Sequence, residues 1–576
     1  MESAIEPAKA KIEKKLKISG SEALVRSLLA EGVDLMFGYP GGAIMPVYDA
    51  MYDFQDQLHH VLTRHEQGAI HAAQGFARAT GKVGVVLATS GPGATNLITG
   101  IADAMIDSTP LVCITGQVFS TLLGTDAFQE TDVVGISIPV TKWNHQVTRA
   151  EEIPEAIAKA FYIAKSGRPG PVLIDITKDA QVQEFDFSYK KCEEIRSYHP
   201  IPALDKSMVE KAAKLINEAK KPYLLFGQGV ILSHAEAELK AFIEKTGIPA
   251  AWTILGLSAL ESNHPLNVGM LGMHGNYGPN LLTNDCDVLI AVGMRFDDRV
   301  TGKVSDYATQ AKIIHLEVDP SEIDKIIKAD VPLLGDAKIG LKALLEKVKP
   351  NEHKEWLQRF RDCDKKEYEK VIKDELYPSK PELTMGEVIR MIAEKTAGDA
   401  IIVTDVGQHQ MVTCRYSKFI KSKSNITSGG LGTMGFCLPA AIGAKMGAPD
   451  RQVIGVIGDG GFQMTIQELG TIFQTEIDVK ILILNNQFLG MVRQWQQMFF
   501  DKRYSATEMV NPDFQKISAG YGIESRKIDS RDVLEDAIDT FLNHKGSYLL
   551  EVIVGKENNV FPMVPAGCAV SEIILE

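Results

Sequence analysis

Ten short runs of continuous apolar, often β-branched residues recur along this chain, each separated from the next by at least enough residues for a helix. They are "KVGVVLATSGPG", "TPLVCITGQ", "GPVLIDIT", "KPYLLFGQG", "CDVLIAVG", "AKIIHLEVD", "DAIIVTDVG", "RQVIGVIGDG", "VKILILNN" and "SYLLEVIV". A strand that is apolar on both faces must be covered on both faces, and helices between successive strands do this. The expected fold class is therefore α/β, with open, mainly parallel sheets carrying helices on both sides. At 576 residues the chain exceeds one core, and polar, charge-rich breaks at 184–200 and 349–383 divide it into three expected domains, 1–190, 195–350 and 375–576. The outer two share a strand, Gly-turn, helix, strand pattern. That pattern fits a diverged duplication around a different middle domain, and it equally fits the general likeness of α/β units.

Charge and composition remove whole classes of function. The formal net charge is −13 and no Lys/Arg block is concentrated anywhere, so nucleic acid is not an expected partner. No run of about 18 apolar residues suits a membrane span. The segment "MESAIEPAKAKIEKKLKISGSEALVRSLL" mixes acids with lysines and lacks the apolar core of an export signal. Seven scattered cysteines without a C-x-x-C pair read as reduced thiols, so the expected location is cytoplasmic.

The chemistry concentrates in "RQVIGVIGDGGFQMTIQELGTIFQTEIDVKILILNN". Asp459 stands between glycines at the end of one apolar run, and Asn486 closes the next, after one helix and one returning strand. In a parallel sheet both side chains meet beyond the carboxyl ends of the strands, where ligands bind. A lone acid there would repel a phosphate unless a cation stood between them, and an acid, an amide oxygen and a backbone carbonyl suit Mg²⁺. Taken alone, "GDG" reads as a helix N-cap; the paired strand ends favour the metal.

This stretch resembles the metal–diphosphate motif of thiamine-diphosphate enzymes. Other segments resemble the acetohydroxyacid synthase (acetolactate synthase) catalytic large-subunit family over nearly the whole chain: "FGYPGGAIMPVYDAM", "TRHEQGAIHAAQGFARATGKVGVV", "TSGPGATNLITGIADAM", "GTDAFQE", "GMHG", "RFDDRVTGK", "DVGQHQM", "GLGTMGFCLPAAIGA", "NNQFLGMVRQWQ" and "FPMVPAG". The resemblance implies a pyrimidine-binding N-terminal domain, a central FAD-binding-like domain and a C-terminal domain that binds diphosphate and Mg²⁺.

It also implies roles. Glu66 becomes the carboxyl that bonds the aminopyrimidine of thiamine diphosphate on another subunit and is partly protonated near neutral pH. Gln408 and His409 meet the diphosphate, Gly432 and Met434 the aminopyrimidine, and Asp459, Gly460, Asn486 and the Phe488 carbonyl the metal–diphosphate centre. The family often has a histidine in place of Phe488, which a backbone ligand tolerates. Trp495 favours an acceptor one methylene longer than pyruvate, and Arg299 meets the acceptor carboxylate. Gly42, Phe128, Gln129, Lys178 and Met273 line the pocket and its access channel. Arg168, Gly227, Gly229, Thr253, Ile254, Leu255, His274, Gly293, Arg295, Glu317, Gly335 and Asp336 fall where the family holds FAD, with Glu317 at a position where aspartate is frequent.

The implied reaction decarboxylates pyruvate on thiamine diphosphate and condenses the hydroxyethyl carbanion with pyruvate or 2-ketobutyrate. The products are 2-acetolactate or 2-aceto-2-hydroxybutyrate, precursors of valine, leucine and isoleucine. The alternatives are a flavin-independent catabolic acetolactate synthase, disfavoured by "RFDDR" and "QWQ", and a pyruvate oxidase. A glyoxylate carboligase is disfavoured by the acid at Glu66, and an inactive scaffold by Glu66, Asp459 and Asn486 together. The expected partners are 2-ketoacids, a second copy or more of the chain as homodimer or homotetramer, and a separate small regulatory subunit.

Overall fold

The computed structural model describes residues 16–576; the first fifteen residues of the expected N-terminal domain, with the start of the segment read for export signals, lie outside the described residues. All ten apolar runs form strands, distributed over three six-stranded sheets that are parallel throughout. The N-terminal sheet has the order His59–Leu62, Leu35–Gly38, Gly84–Ala88, Leu111–Gln117, Pro171–Thr177, Trp143–Val147. The C-terminal sheet runs Asn425–Thr427, Ile401–Thr404, Val453–Gly458, Lys480–Asn485, Tyr548–Ile553, Glu524–Ile528. Numbered along the chain within each sheet, both read 2-1-3-4-6-5. The central sheet, Asn267–Met270, Ala250–Trp252, Pro222–Phe226, Val288–Val292, Lys312–Glu317, Val331–Leu334, reads 3-2-1-4-5-6 instead. The outer domains thus share one topology and the middle one has another, a more specific likeness than the pattern of runs alone.

The two polar breaks are structured. Glu184–Phe187 pairs antiparallel with Leu16–Ser19, which ties the end of the first domain back to its beginning. The second break contains the helix Lys354–Glu367, which buries Trp356 and Phe360 against the central domain. The Trp356 indole donates to the Pro222 carbonyl at 2.9 Å, and Phe360 packs on Tyr223 with ring centres 5.1 Å apart. This amphipathic helix is highly charged on its outer face, so composition alone hid its buried side.

The outer domains meet through Glu66–Thr80 and Cys437–Gly447, two helices in backbone contact. A Cβ at Gly75 would stand 1.9 Å from the Ala440 carbonyl oxygen, and one at Gly443 would stand 1.7 Å from that of Ala72. Only glycine permits this approach. No helix among the described residues is long and apolar enough to cross a membrane.

Candidate active site

The diphosphate-type centre forms where the C-terminal strands end. Gly458 lies in register with Leu484, so Asp459 and Asn486 emerge from neighbouring strands despite their separation in sequence. Asp459 opens the helix Asp459–Met464 and is 1% exposed. Burial pushes its carboxyl up, and the amide of Asn511, donating to Oδ2 at 2.7 Å, opposes that shift. Asn486 donates to Gln408 Oε1 at 3.1 Å and accepts from the Phe488 N–H at 3.2 Å. Gln408 in turn donates to Gln494 Oε1 at 3.1 Å and to the Asn558 carbonyl at 3.0 Å. His409 pairs through Nε2 with the buried Asp405. The Met434 side chain approaches Gly460, where an added Cβ would lie 3.5 Å from Met434 Cε. No group of three or more His, Cys, Asp or Glu side chains placed to hold a metal ion stands among the described residues. A cation here would rest on one carboxylate, one amide oxygen and one backbone oxygen, leaving positions for phosphate and water as Mg²⁺ prefers.

Beside it opens a cavity of about 1380 Å³, above the usual range for a single drug-sized ligand. Arg168, Gly229, Thr253, Ile254, Leu255, Met273, His274, Gly293, Arg295, Arg299, Glu317, Gly335, Asp336, Gly432 and Trp495 all line it. The central sheet explains this convergence. Its strand order reverses between Pro222–Phe226 and Val288–Val292, and beyond those two strands lie Gly227, Gly229 and Gly293. A Cβ at Gly227 would fall 2.4 Å from the Gly293 oxygen, and one at Gly229 would fall 2.6 Å from Gly293 Cα. Bare backbone at a reversal point is the cradle in which α/β sheets take dinucleotides.

The walls of the cavity are polar at few points. Burial and Arg415 push the His274 imidazole down to about 4 against the opposing pull of the Pro562 backbone, and neither ring nitrogen makes a hydrogen bond of ordinary geometry among the described residues. Unsatisfied buried nitrogens on a cavity wall suit a polar ligand. Burial raises the Glu317 carboxyl to about 7, although Oε1 accepts from the Val318 and Asp319 N–H groups at 2.9 and 3.1 Å. Arg168 is already engaged, donating to Ser108 at 2.9 Å, Asp319 at 3.2 Å and Glu322 at 2.8 Å. Arg299 is largely exposed, lies 3.8 Å from Asp298 and touches the Met273 sulfur at 3.4 Å. Its guanidinium is open to a carboxylate. Trp495, on the helix Gly490–Phe499, packs edge-on to Phe499 and faces the cavity rather than a core.

The remaining predicted residues gather elsewhere. Gly42, Glu66, Phe128, Gln129 and Lys178 all lie beyond carboxyl ends of the N-terminal strands, and none of them lines the cavity. Glu66 begins the helix Glu66–Thr80 behind the His65 cap, is 8% exposed, and accepts from the Asn96 amide at 3.0 Å through Oε2. Gln129 has φ 60° and backs onto Gly91, whose Cβ would meet the Gln129 oxygen at 2.9 Å. Phe128 is 89% exposed, and no atom lies within 4 Å of where a Gly42 Cβ would be. The N-terminal domain's own cavity residues, Ser108 and Arg168 among them, sit at the opposite edge, before the strands Leu111–Gln117 and Pro171–Thr177. The seven-residue strand Pro171–Thr177 separates Arg168 from Lys178, a span of about 20 Å at strand rise. One chain therefore brings the diphosphate-type centre close to the cavity and leaves Glu66 outside its lining.

Four residues escaped the sequence reading. Asp405 precedes His409 by one helical turn, a spacing that could have flagged it. Asn511, before Pro512, joins Asp459 to Asn485, donating to the latter at 3.2 Å, and only its turn-type dipeptide marked it. Arg415 and Glu367 form a buried ion pair under the Met273–His274 loop, with Arg415 donating to the Gly275 carbonyl at 2.9 Å. No local pattern announces a pair 48 residues apart.

Comparison with known proteins agrees with this geometry. Residues 18–136 match the family described as thiamine pyrophosphate enzyme, N-terminal TPP binding domain. Residues 209–344 match its central domain and residues 405–552 its C-terminal TPP binding domain. The acetolactate synthase isozyme 2 large subunit of Escherichia coli (strain K12) is 46% identical over 561 residues, covering 97% of this chain and 99% of that protein. The acetolactate synthase large subunit of Corynebacterium glutamicum is 46% identical, covering 97% of this chain and 90% of that protein. That of Lactococcus lactis subsp. lactis is 42% identical, covering 97% of each. With its three-domain plan, its Asp459–Asn486 strand-end pair and this whole-length similarity, the chain belongs to the acetolactate synthase large-subunit family of thiamine pyrophosphate enzymes.

Proposed function

We propose that the protein decarboxylates pyruvate and joins the two-carbon unit to a second pyruvate or to 2-ketobutyrate, the carbon–carbon bond-forming step toward valine, leucine and isoleucine. The observation that carries this reading is the adjacency of the buried Asp459–Asn486 pair to a cavity holding Arg299 and Trp495. Thiamine diphosphate, when bound, supplies the carbon nucleophile and the electron sink. The chain's residues do the rest. Asp459, Asn486 and the Phe488 carbonyl would hold Mg²⁺, Gln408, His409 and Gly460 the diphosphate, and Gly432 and Met434 the aminopyrimidine. Glu66 would hold a proton at the pyrimidine nitrogen. Because it lies outside that cavity's lining, we read it as serving a site on a second copy, which makes a homodimer the smallest active form and a homotetramer an alternative. Gly42, Phe128, Gln129 and Lys178 would close over the substrate from that copy. Arg299 would bind the acceptor carboxylate, and Trp495 would set the preference between the two acceptors, a discrimination of about 1–3 kcal/mol per methylene.

The glycine cradle and the unpaired His274 fit FAD in the central cavity, held there as a structural group. Glu317 would accept from a ribose hydroxyl, as an acid does in dinucleotide folds. That contact favours the ionised carboxylate, and burial sets its ordinary ionisation near pH 7. FAD affinity should therefore rise about tenfold between about pH 6 and pH 8, measured by flavin fluorescence on titration. In Glu317→Gln the slope should vanish.

The domain limits 1–190, 195–350 and 375–576 remain our assignment. The relatives' names as large subunits point to a separate small regulatory subunit here too. Seven free thiols suit a cytoplasmic setting.

The deciding experiment incubates purified protein with pyruvate, thiamine diphosphate and Mg²⁺ under anaerobic conditions, with and without FAD. Acetolactate that requires FAD is the expected result. Acetolactate without FAD would remove the flavin from the reading, and CO₂ release that needs an added electron acceptor would make the protein an oxidase.

A further inference from the structure

The loop 428–434 carries Gly432 and Met434 and forms one wall of the cavity, yet three of its residues are glycines. The groups that hold it come from the N-terminal domain. Asp107 accepts from the N–H groups of Gly429 at 2.8 Å and Gly430 at 2.7 Å, and its Oδ2 also pairs with Arg78 at 2.8 Å. One turn earlier, Asp103 accepts from the hydroxyls of Ser428 and Thr433, the latter at 3.1 Å. The Ser428 hydroxyl closes the loop on itself by accepting from the Thr433 N–H at 2.8 Å. Both carboxylates are completely buried. Arg78 also donates to the Thr427 carbonyl, just before the loop, and to Thr109.

Placing two carboxylates beside one guanidinium in an interior is unfavourable unless their lone pairs are used. Packing alone would be served better by apolar side chains. Here both Asp107 oxygens and Asp103 Oδ1 meet the loop's backbone and hydroxyl donors, while Asp103 Oδ2 has no hydrogen-bond partner among the described residues, so the arrangement specifies a loop conformation rather than filling space. The same helical segment, Ile98–Ile106, follows Asn96, whose amide holds Glu66 Oε2. One short strut thus connects the Glu66 carboxyl at one edge of the domain with the Gly432–Met434 loop at the other.

We propose that Asp103 and Asp107 are positioning residues for the cofactor ring, fixing the loop so that Gly432 and Met434 present one geometry to the aminopyrimidine. The proposal deepens the reading above and rests on that loop being the aminopyrimidine site. The consequence is that cofactor affinity depends on two acids with no cofactor contact of their own.

The test titrates cofactor-free protein with thiamine diphosphate at fixed Mg²⁺, followed by tryptophan fluorescence. Thermal unfolding of the free protein and, at saturating cofactor, kcat and the KM for pyruvate are measured alongside. Asp107→Asn turns an acceptor into a donor facing a backbone N–H, and should weaken thiamine diphosphate binding about tenfold or more. Pyruvate KM should stay within about twofold. Gly430→Ala is the second variant if the first does not fold: its Cβ would meet Ile106 Cγ1 at 2.8 Å and Asp107 Oδ1 at 2.9 Å, pushing the loop off the acid while leaving the charges in place. Met434→Ala serves as the reference for the loop itself. Weakened binding in all folded variants supports the proposal. Weakening in Met434→Ala alone overturns it and leaves the loop assignment standing, whereas unchanged affinity in every variant overturns both.

Discussion

Glu66→Gln is expected to lower acetolactate formation by about 100- to 10,000-fold, the range that a positioned proton-transfer group contributes. Gln keeps the size of the side chain and can still accept from Asn96, whose amide lies 3.0 Å from Glu66 Oε2. What it loses is a group able to carry and release a proton. Hydrogen–deuterium exchange at the thiazolium carbon of added cofactor should slow by a similar factor, while affinity for Mg²⁺ and thiamine diphosphate changes little. Rates equal to the parent enzyme would sink the assignment. Mixing Glu66→Gln with Asp459→Asn protein adds a second readout. If each site takes Glu66 from one copy and Asp459 from another, hybrid dimers contain one site with both groups intact, and activity should reappear in the mixture.

How much of this was legible beforehand follows from strand position. The ten runs read as strands are largely apolar and all interior to the sheets, as with Leu111–Gln117, buried at every position. Of the eight strands of the six-stranded sheets that were not read, all of three to five residues, six are sheet edges, including Trp143–Val147 and Glu524–Ile528, whose sequences "WNHQV" and "ESRKI" carry little apolar signal. An edge strand is covered on one side only, so its sequence need not be apolar throughout. The shared topology of the outer domains became visible only through strand order, which depends on pairing between distant segments and leaves no local trace. Within the site, Asp459 and Asn486 were readable because strand ends constrain both position and residue type. Asp103 and Asp107 were not, since the loop groups they hold lie more than 300 residues away, and the acids sit on and just after an ordinary amphipathic helix. The service of Glu66 to a site on another copy was implied by resemblance alone; what the fold adds is that Glu66 lies beyond a carboxyl edge of its own sheet and outside the cavity lining.

Asp459→Asn should weaken retention of thiamine diphosphate with Mg²⁺ by about 100-fold or more, beyond what loss of an outer partner of a metal ligand does. The variant keeps the shape and can still meet Asn511, which now donates to Asp459 Oδ2 at 2.7 Å. It removes the single carboxylate at a centre where no second acid stands among the groups that would bind a cation. The parent protein carries a further signature in its pH dependence. Burial raises the Asp459 carboxyl, so in the free protein a proton is held to higher pH than on an ordinary aspartate. A cation requires the ionised form and competes with that proton. Affinity for the Mg²⁺–cofactor pair should therefore fall as pH is lowered, starting above the usual aspartate range near about 4. Titrations of both proteins between about pH 5 and pH 8 separate this effect from ionisation of the cofactor's own phosphate, which the two share. A steeper decline in the parent than in Asp459→Asn is the expected outcome. Parallel curves, or tight cofactor binding in the presence of a chelator, would show that the diphosphate is held without a metal on Asp459.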